Sequence, residues 1–308
     1  MSMVIKMSRT KGKRFADKKT AKELKKQRKE KENNITAYTS QSSNTYETSI
    51  NSESKSKKEK KHHFFFNFII ILCVAAIIFS SYNIVLWFID NYKSKKMIDD
   101  IYNNVNITEE TISLDDLQFT KRHYDLKKLL AQNTDTVGWI YVKGTNIDYP
   151  VVQTTDNDYY LNHSFDRSSN SAGWIFADYR CDATNNCLNT VMYGHNRKDA
   201  SMFGSLQRVL GEEWYSNEEN LYINYSTLNE THIYRVFSTF VCNDADVEAY
   251  TQTHFSNKED FLKYVQTLKK HSSHDFGTDT SQAQQIITLY TCYGLNNQRL
   301  LVCAVLVK

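Results

Sequence analysis

The sequence predicts a mainly β fold: a closed eight-stranded barrel with helices on its N-terminal side and a helix ahead of the seventh strand, preceded by one transmembrane helix. Three observations predict it. From residue 138 onward, eight short runs are rich in β-branched and aromatic residues: 138–142, 147–152, 173–177, 189–193, 220–225, 231–242, 285–292 and 299–307. Residues 258–270 break that texture with Phe261, Tyr264, Val265 and Leu268 at helical spacing. Residues 64–89 carry no charge at all. Many strands with few helices are best satisfied by closing the sheet, which removes unpaired edges.

The elements follow in order. Residues 1–63 hold 18 Lys and Arg against 7 Asp and Glu, a local excess of +11. The whole chain of 308 residues carries only +3, so the remainder is at −8. Such a head cannot bury a core, and 1–63 is expected to be a basic, largely disordered tail. Its run Lys55–Lys61 suits the anionic headgroups of membrane lipids. A basic tail also suits nucleic acid, but its place beside an apolar run favours lipid, and no nucleic-acid partner is expected.

The apolar run 64–89 follows. At about 1.5 Å per residue it reaches roughly 39 Å, against roughly 30 Å of bilayer hydrocarbon. The Lys and Arg excess before it places the N-terminus in the cytoplasm and residues 90–308 outside. A buried soluble helix and a cleaved signal peptide are the alternatives. The long preceding region and the absence of a small-residue cleavage site argue against the second. Residues 90–134, with Leu117, His123, Leu126, Leu129 and Leu130, read as one or two helices. The barrel domain spans 135–308. Pro150, the single proline, is expected to fix the start of the second strand.

Six cysteines are present, and Cys73 lies in the apolar run. The other five cannot all pair within the chain. Cys181 and Cys187 flank a polar turn and could form a local disulfide, although many exported bacterial domains have none. No CxxC pair and no glycine-rich phosphate loop occurs, so neither a metal nor an organic cofactor is expected.

Chemistry can be sought at strand ends, where loops form clefts. TLYTC (288–292) closes one apolar strand on Cys292, and Arg299 opens the next, RLLVCAVLV. If the two strands form a hairpin, thiol and guanidinium lie at one end of it. A guanidinium there favours the thiolate and can hold an oxyanion. On spacing alone, a core cysteine followed by a surface arginine is the commoner reading. His195 follows the apolar strand 191–193 in VMYGHNRKDASMFGSL; imidazole can pass a proton near neutral pH. Eight other histidines compete, among them His163, His232 and His254. Thr291 either donates to substrate backbone or packs. Tyr293 is a candidate cleft wall. Cys303 alternates into the core, and Ser201 is expected to cap a helix.

Together these motifs resemble the sortase family: TLYTC with a downstream Arg, the segment YGHNRKDASMFGSL, and residues 138–165, GWIYVKGTNIDYPVVQTTDNDYYLNHSF. The last two are similar to class B sortases. The resemblance covers roughly 115–308. It implies an eight-stranded barrel and a membrane-anchored cysteine transpeptidase of Gram-positive bacteria. Such an enzyme cleaves a C-terminal sorting motif of surface proteins and joins them to a cell-wall (peptidoglycan) amine. It assigns Cys292 as nucleophile, His195 as general acid/base and Arg299 as oxyanion stabiliser. Two features depart from the class B pattern. The intervening loop YGLNNQ is short, with a texture closer to classes C and D, and Tyr293 stands where an acidic residue often follows the cysteine. An exported cysteine peptidase using water as acceptor, and a non-enzymatic membrane-tethered binding protein, are the competing readings.

Overall fold

The computed structural model describes residues 6–114, 117–184, 187–294 and 297–308, with side chains for 23–33, 64–113, 118–184, 187–294 and 297–308. Two compact units are present, Met1–Tyr82 and Asn83–Lys308. Helix α1, Lys6–Asn104, begins in the first and ends in the second. The first unit is helical throughout its described length, including the tail expected to be disordered. Over residues 11–32, Lys, Glu, Ala and Leu favour a helix even where they cannot build a core; the Asn-, Ser- and Thr-rich stretch 33–54 has no such preference. The side chains of the basic run 55–61 lie outside the described residues. Among the described residues, one helix is long and apolar enough to cross a membrane; Phe64, Ile71 and Phe79 on it are all exposed.

The second unit starts with the end of α1 and continues into β1 (Asn106–Leu114) and β2 (Leu117–Asp125). These two pair antiparallel from Asn106↔Asp125 to Leu114↔Leu117. Residues 106–125 were expected to be helical, so this hairpin is a correction. The β-branched run Ile107, Thr108, Thr111 and Ile112 outweighs the helical spacing of a few leucines. A short helix, α2 (Lys127–Gln132), then buries Leu129. The hairpin is fastened to the barrel by Phe119 stacked on Tyr222 at 4.6 Å and Tyr124 on Trp139 at 4.5 Å. Tyr124 and the Trp139 indole both donate to Asp148.

All eight expected barrel strands form: β3 (Thr136–Val142), β4 (Ile147–Val152), β5 (Phe176–Ala177), β6 (Asn189–Tyr193), β7 (Tyr222–Ser226), β8 (Thr231–Asn243), β9 (Ile286–Tyr293) and β10 (Gln298–Leu306). They close in the order β10-β8-β7-β3-β4-β5-β6-β9. A four-residue helix, α3 (Glu212–Tyr215), precedes β7. Pro150 lies inside β4 rather than at its start. It is tolerated because β4 meets β5 only at Val152↔Phe176, so the missing N–H costs no ladder bond there. The strand expected at 173–177 shortens to two residues, with a tight turn at its front.

Helix α4 occupies Lys258–Lys270, as its spacing indicated, with the Asn257 side chain capping Asp260 N–H. Its buried face, Phe261, Tyr264, Val265 and Leu268, packs with Phe237, Leu301, Cys303 and Val305 on the outside of the barrel wall. Leu300, Val302 and Ala304, the alternate residues of β10, join the main core cluster instead. Strand alternation therefore sorts β10 into an interior face and a face under α4. Arg299 has the parity of the second.

Candidate active site

Four strands build the site. In the β9–β10 hairpin, Cys292 is the register partner of Arg299; across β10, Arg299 is also the partner of Cys242 on β8. Opposed residues share a face, so the three side chains form one row on the outer face of the wall. Cys292 is a free, exposed thiol, and Cys242 is half-buried. Burial, reinforced by Asp246, pushes the Cys242 thiol up to about 11, so it stays protonated at neutral pH. Cys303 is buried in the α4 layer, as expected.

The histidine arrives from β6. This strand runs parallel to β9, with Tyr193↔Tyr290 the last pair. His195 and Cys292 each lie two residues beyond that pair, so parallel pairing brings both to the same end of neighbouring strands. Tyr193 and Tyr290 touch edge to face at 5.1 Å. The turn between β6 and His195 is tied to β9: the Thr291 hydroxyl donates to the Gly194 carbonyl at 2.7 Å, and Gly194 N–H donates to the Tyr290 carbonyl at 3.3 Å.

Among the described residues, the His195 ring is held by one bond, Nε2 to the Leu161 carbonyl at 2.8 Å. A carbonyl only accepts, so Nε2 carries a proton and Nδ1 is the nitrogen left for chemistry. Gly173 makes this placement possible. Its φ is +61°, and a Cβ there would come within 2.8 Å of His195 Cδ2 and of the Leu161 oxygen. Helix α1 reaches the same neighbourhood. Asp90 accepts from the Ser171 N–H and hydroxyl at 3.2 and 2.7 Å, and Asn170 donates to Ser94. On the other side of His195, Arg197 donates to Asn91. The segment 90–94 is therefore bonded to both loops that flank the histidine.

Arg299 is 18% exposed at its side chain and engages several groups at once. Its Nε donates to the Tyr290 hydroxyl at 2.7 Å and lies 3.0 Å from Asp244 Oδ1; its Nη1 donates to the Gln298 carbonyl at 3.0 Å. Burial works to lower its pKa, but Tyr290, Cys292 and Asp244 outweigh it and leave the guanidinium even more firmly charged. Burial pushes the Tyr290 phenol up to about 12.

Cys292 and Arg299 thus share one face, and His195 lies at the same end of the neighbouring strand. The two weaker expectations fare differently. Thr291 is 1% exposed and its hydroxyl donates to the Gly194 carbonyl, which fastens β9 to the histidine turn. Tyr293 shares the parity of Thr291 and packs against the main core cluster, on the opposite face from Cys292. Ser201 caps no helix. It donates to Asp199 in a turn, and the next helical residues begin only at Leu206. Cys181 and Cys187 are joined by a disulfide. The residues that sequence reading missed are Gly173, Tyr290, Asp244 and the 90–94 segment. Tyr290 alone had a signal, because it lies one alternation from Cys292. Among the described residues, no cluster of His, Cys, Asp and Glu could hold a metal.

The closed barrel with a thiol, an imidazole and a guanidinium at one strand end defines a cysteine transpeptidase. A sortase-domain model matches residues 140–307, and the chain belongs to the sortase family. Its relatives lie in class B. It is 36% identical over 230 residues to sortase B of Listeria monocytogenes, covering 70% of this chain and 84% of that one. It is 32% identical over 179 residues to sortase B of Staphylococcus aureus, covering 57% and 72%. The crystal structure of sortase B from Bacillus anthracis superposes with a TM-score of 0.58 at 33% identity, over 72% of this chain and 99% of that one. The S. aureus sortase B–substrate complex superposes at 0.54 with 32% identity, over 59% and 84%.

Proposed function

We propose that this chain is a membrane-anchored sortase that cleaves surface proteins at a C-terminal sorting motif and transfers them to a peptidoglycan amine. The observation that carries the reading is the register that seats Arg299 opposite Cys292 while the parallel β6 delivers His195 to the same end. The Cys292 thiolate attacks the scissile carbonyl carbon, and Arg299 holds the oxygen as it becomes an oxyanion. Imidazolium at His195 gives its proton to the leaving amine as the peptide C–N bond breaks, leaving a thioacyl-enzyme. An incoming amine then attacks the thioester, His195 takes its proton back, and the thiolate leaves. A sortase B structure complexed with triglycine supports an amine as the acceptor.

Anchoring rests on the uncharged run 64–89, with the basic residues before it favouring a cytoplasmic N-terminus and contact with anionic lipid. Full-length protein in vesicles tests the whole reading. A sorting-motif peptide should leave an acyl group on Cys292, readable by mass spectrometry, and added oligoglycine or diamine should convert hydrolysis into transfer. Cys292→Ala should do neither. Hydrolysis alone in the presence of every amine would make the protein a peptidase, and turnover by Cys292→Ala would remove the nucleophile.

A further inference from the structure

We propose that Asp244 and Tyr290 are positioning residues that clamp Arg299 by its Nε edge so that Nη2 points to the substrate oxyanion. The proposal rests on the oxyanion role of Arg299. The clamp is built by three neighbouring strands. Tyr290 comes from β9, two residues before the nucleophile, and its hydroxyl accepts from Nε at 2.7 Å. Asp244 follows the last residue of β8, and its N–H donates to the Asn297 carbonyl at 2.8 Å, which extends the β8–β10 ladder past Gln298↔Asn243. That extra bond carries the Asp244 carboxylate over the barrel edge to Arg299 Nε, 3.0 Å away. The Tyr290 hydroxyl also reaches the same carboxylate oxygen at 3.5 Å.

Guanidinium is planar, so fixing Nε and Nη1 fixes the plane and the direction of Nη2. Nε is taken by Tyr290 and Asp244 and Nη1 by the Gln298 carbonyl, while Nη2 has no bonded partner among the described residues. The carboxylate on this arginine comes from β8. The residue after the cysteine, Tyr293, brings none and faces the other way. A long side chain free to rotate would meet the oxyanion in only a fraction of its rotamers, and misplacement of that kind is costly in rate. A competing reading of the same contact is a latch, in which Asp244 withholds Arg299 until substrate displaces it.

Kinetics on the full chain with a sorting-motif peptide separate these readings. Asp244→Asn and Tyr290→Phe should each lower kcat on the order of tenfold while KM stays within about twofold. Cys292 alkylation by iodoacetamide, which develops no oxyanion, should change by less than about threefold. Asp244 is half exposed, so the fold should survive, which the melting temperature checks. In an Arg299→Lys background, Asp244→Asn should add almost nothing, because the group it positions is gone. Unchanged or raised kcat in Asp244→Asn, a KM effect alone, or full additivity with Arg299→Lys would each overturn the clamp. If Arg299→Lys is itself near normal, the oxyanion role falls and the clamp with it. If Arg299→Lys is crippled and Asp244→Asn is not, only the clamp falls.

Discussion

Cys292 and Arg299 are direct cross-strand partners on β9 and β10, separated along the chain only by the tight connection between those strands. Gly294 and Asn297 both take positive φ, at +63° and +51°, as so short a reversal requires. The β9–β10 register therefore seats the arginine squarely opposite the thiol.

Arg299→Lys should lower kcat/KM for a sorting-motif peptide by at least about a hundredfold. Lysine keeps the charge but has neither the planar fork nor an Nε for Tyr290 and Asp244 to hold. Alkylation of Cys292 by a small reagent should change far less. Near-normal peptide turnover would show the arginine to be purely electrostatic.

Gly173→Ala should injure activity more than stability. The positive φ costs a non-glycine residue on the order of 1–3 kcal/mol. The added methyl meets both the His195 ring and the Leu161 oxygen that orients it. The expected result is a modest fall in melting temperature together with loss of most peptide turnover. A variant that melts lower yet turns over normally would separate Gly173 from the histidine.

Acid stability should depend on Asp178. Its carboxylate is fully buried and receives the Arg180 fork at 2.9 and 2.6 Å and the Tyr193 hydroxyl at 2.7 Å. Burial alone would raise its pKa, but these donors outweigh burial and hold it below the ordinary carboxylate value. The folded pKa is thus depressed. Its stabilisation is complete above about pH 4, the unfolded value, and is lost as pH falls through the folded pKa. Urea melts of wild type and Asp178→Asn should differ widely at pH 7 and draw together progressively as pH falls below about 4. Parallel curves would assign the acid dependence elsewhere.

The Cys181–Cys187 disulfide closes a loop of six residues in sequence separation. Chain entropy gives such a loop about 2 kcal/mol. Adding reductant to wild type should lower the melting temperature and leave a Cys181→Ser/Cys187→Ser variant unmoved. Since Cys292 must remain a thiol, peptide turnover should survive reduction at temperatures below the melt.

The eight strands, helix α4 and the buried stripe of that helix were legible in the sequence because each is a local pattern: β-branched runs, or apolar residues at a single period. The proposed catalytic trio could be picked out because each member lies at or just beyond a strand end. The hairpin at 106–125 was misread because a few leucines at helical spacing coincide with a β-branched run, and periodicity alone does not rank the two. Gly173 was counted within a strand because a close approach between backbone and ring leaves no mark on composition. Asp244 was invisible for another reason. Its role depends on β8 and β10 being neighbours, a fact set by barrel closure and not by anything near residue 244.

The bonds from Asp90, Asn91 and Ser94 to the loops around His195 bear on how such an enzyme can be rebuilt. Hydropathy suggests a seam at residue 90, with a tether on one side and an interchangeable catalyst on the other. The hydrogen bonds put the seam elsewhere, since the first residues past the apolar run belong to the foundation of the histidine. A chimera that carries this barrel on a foreign anchor should keep everything from Asn83 onward. One joined after Ser94 would inherit a complete barrel and a catalytic loop that has lost its footing.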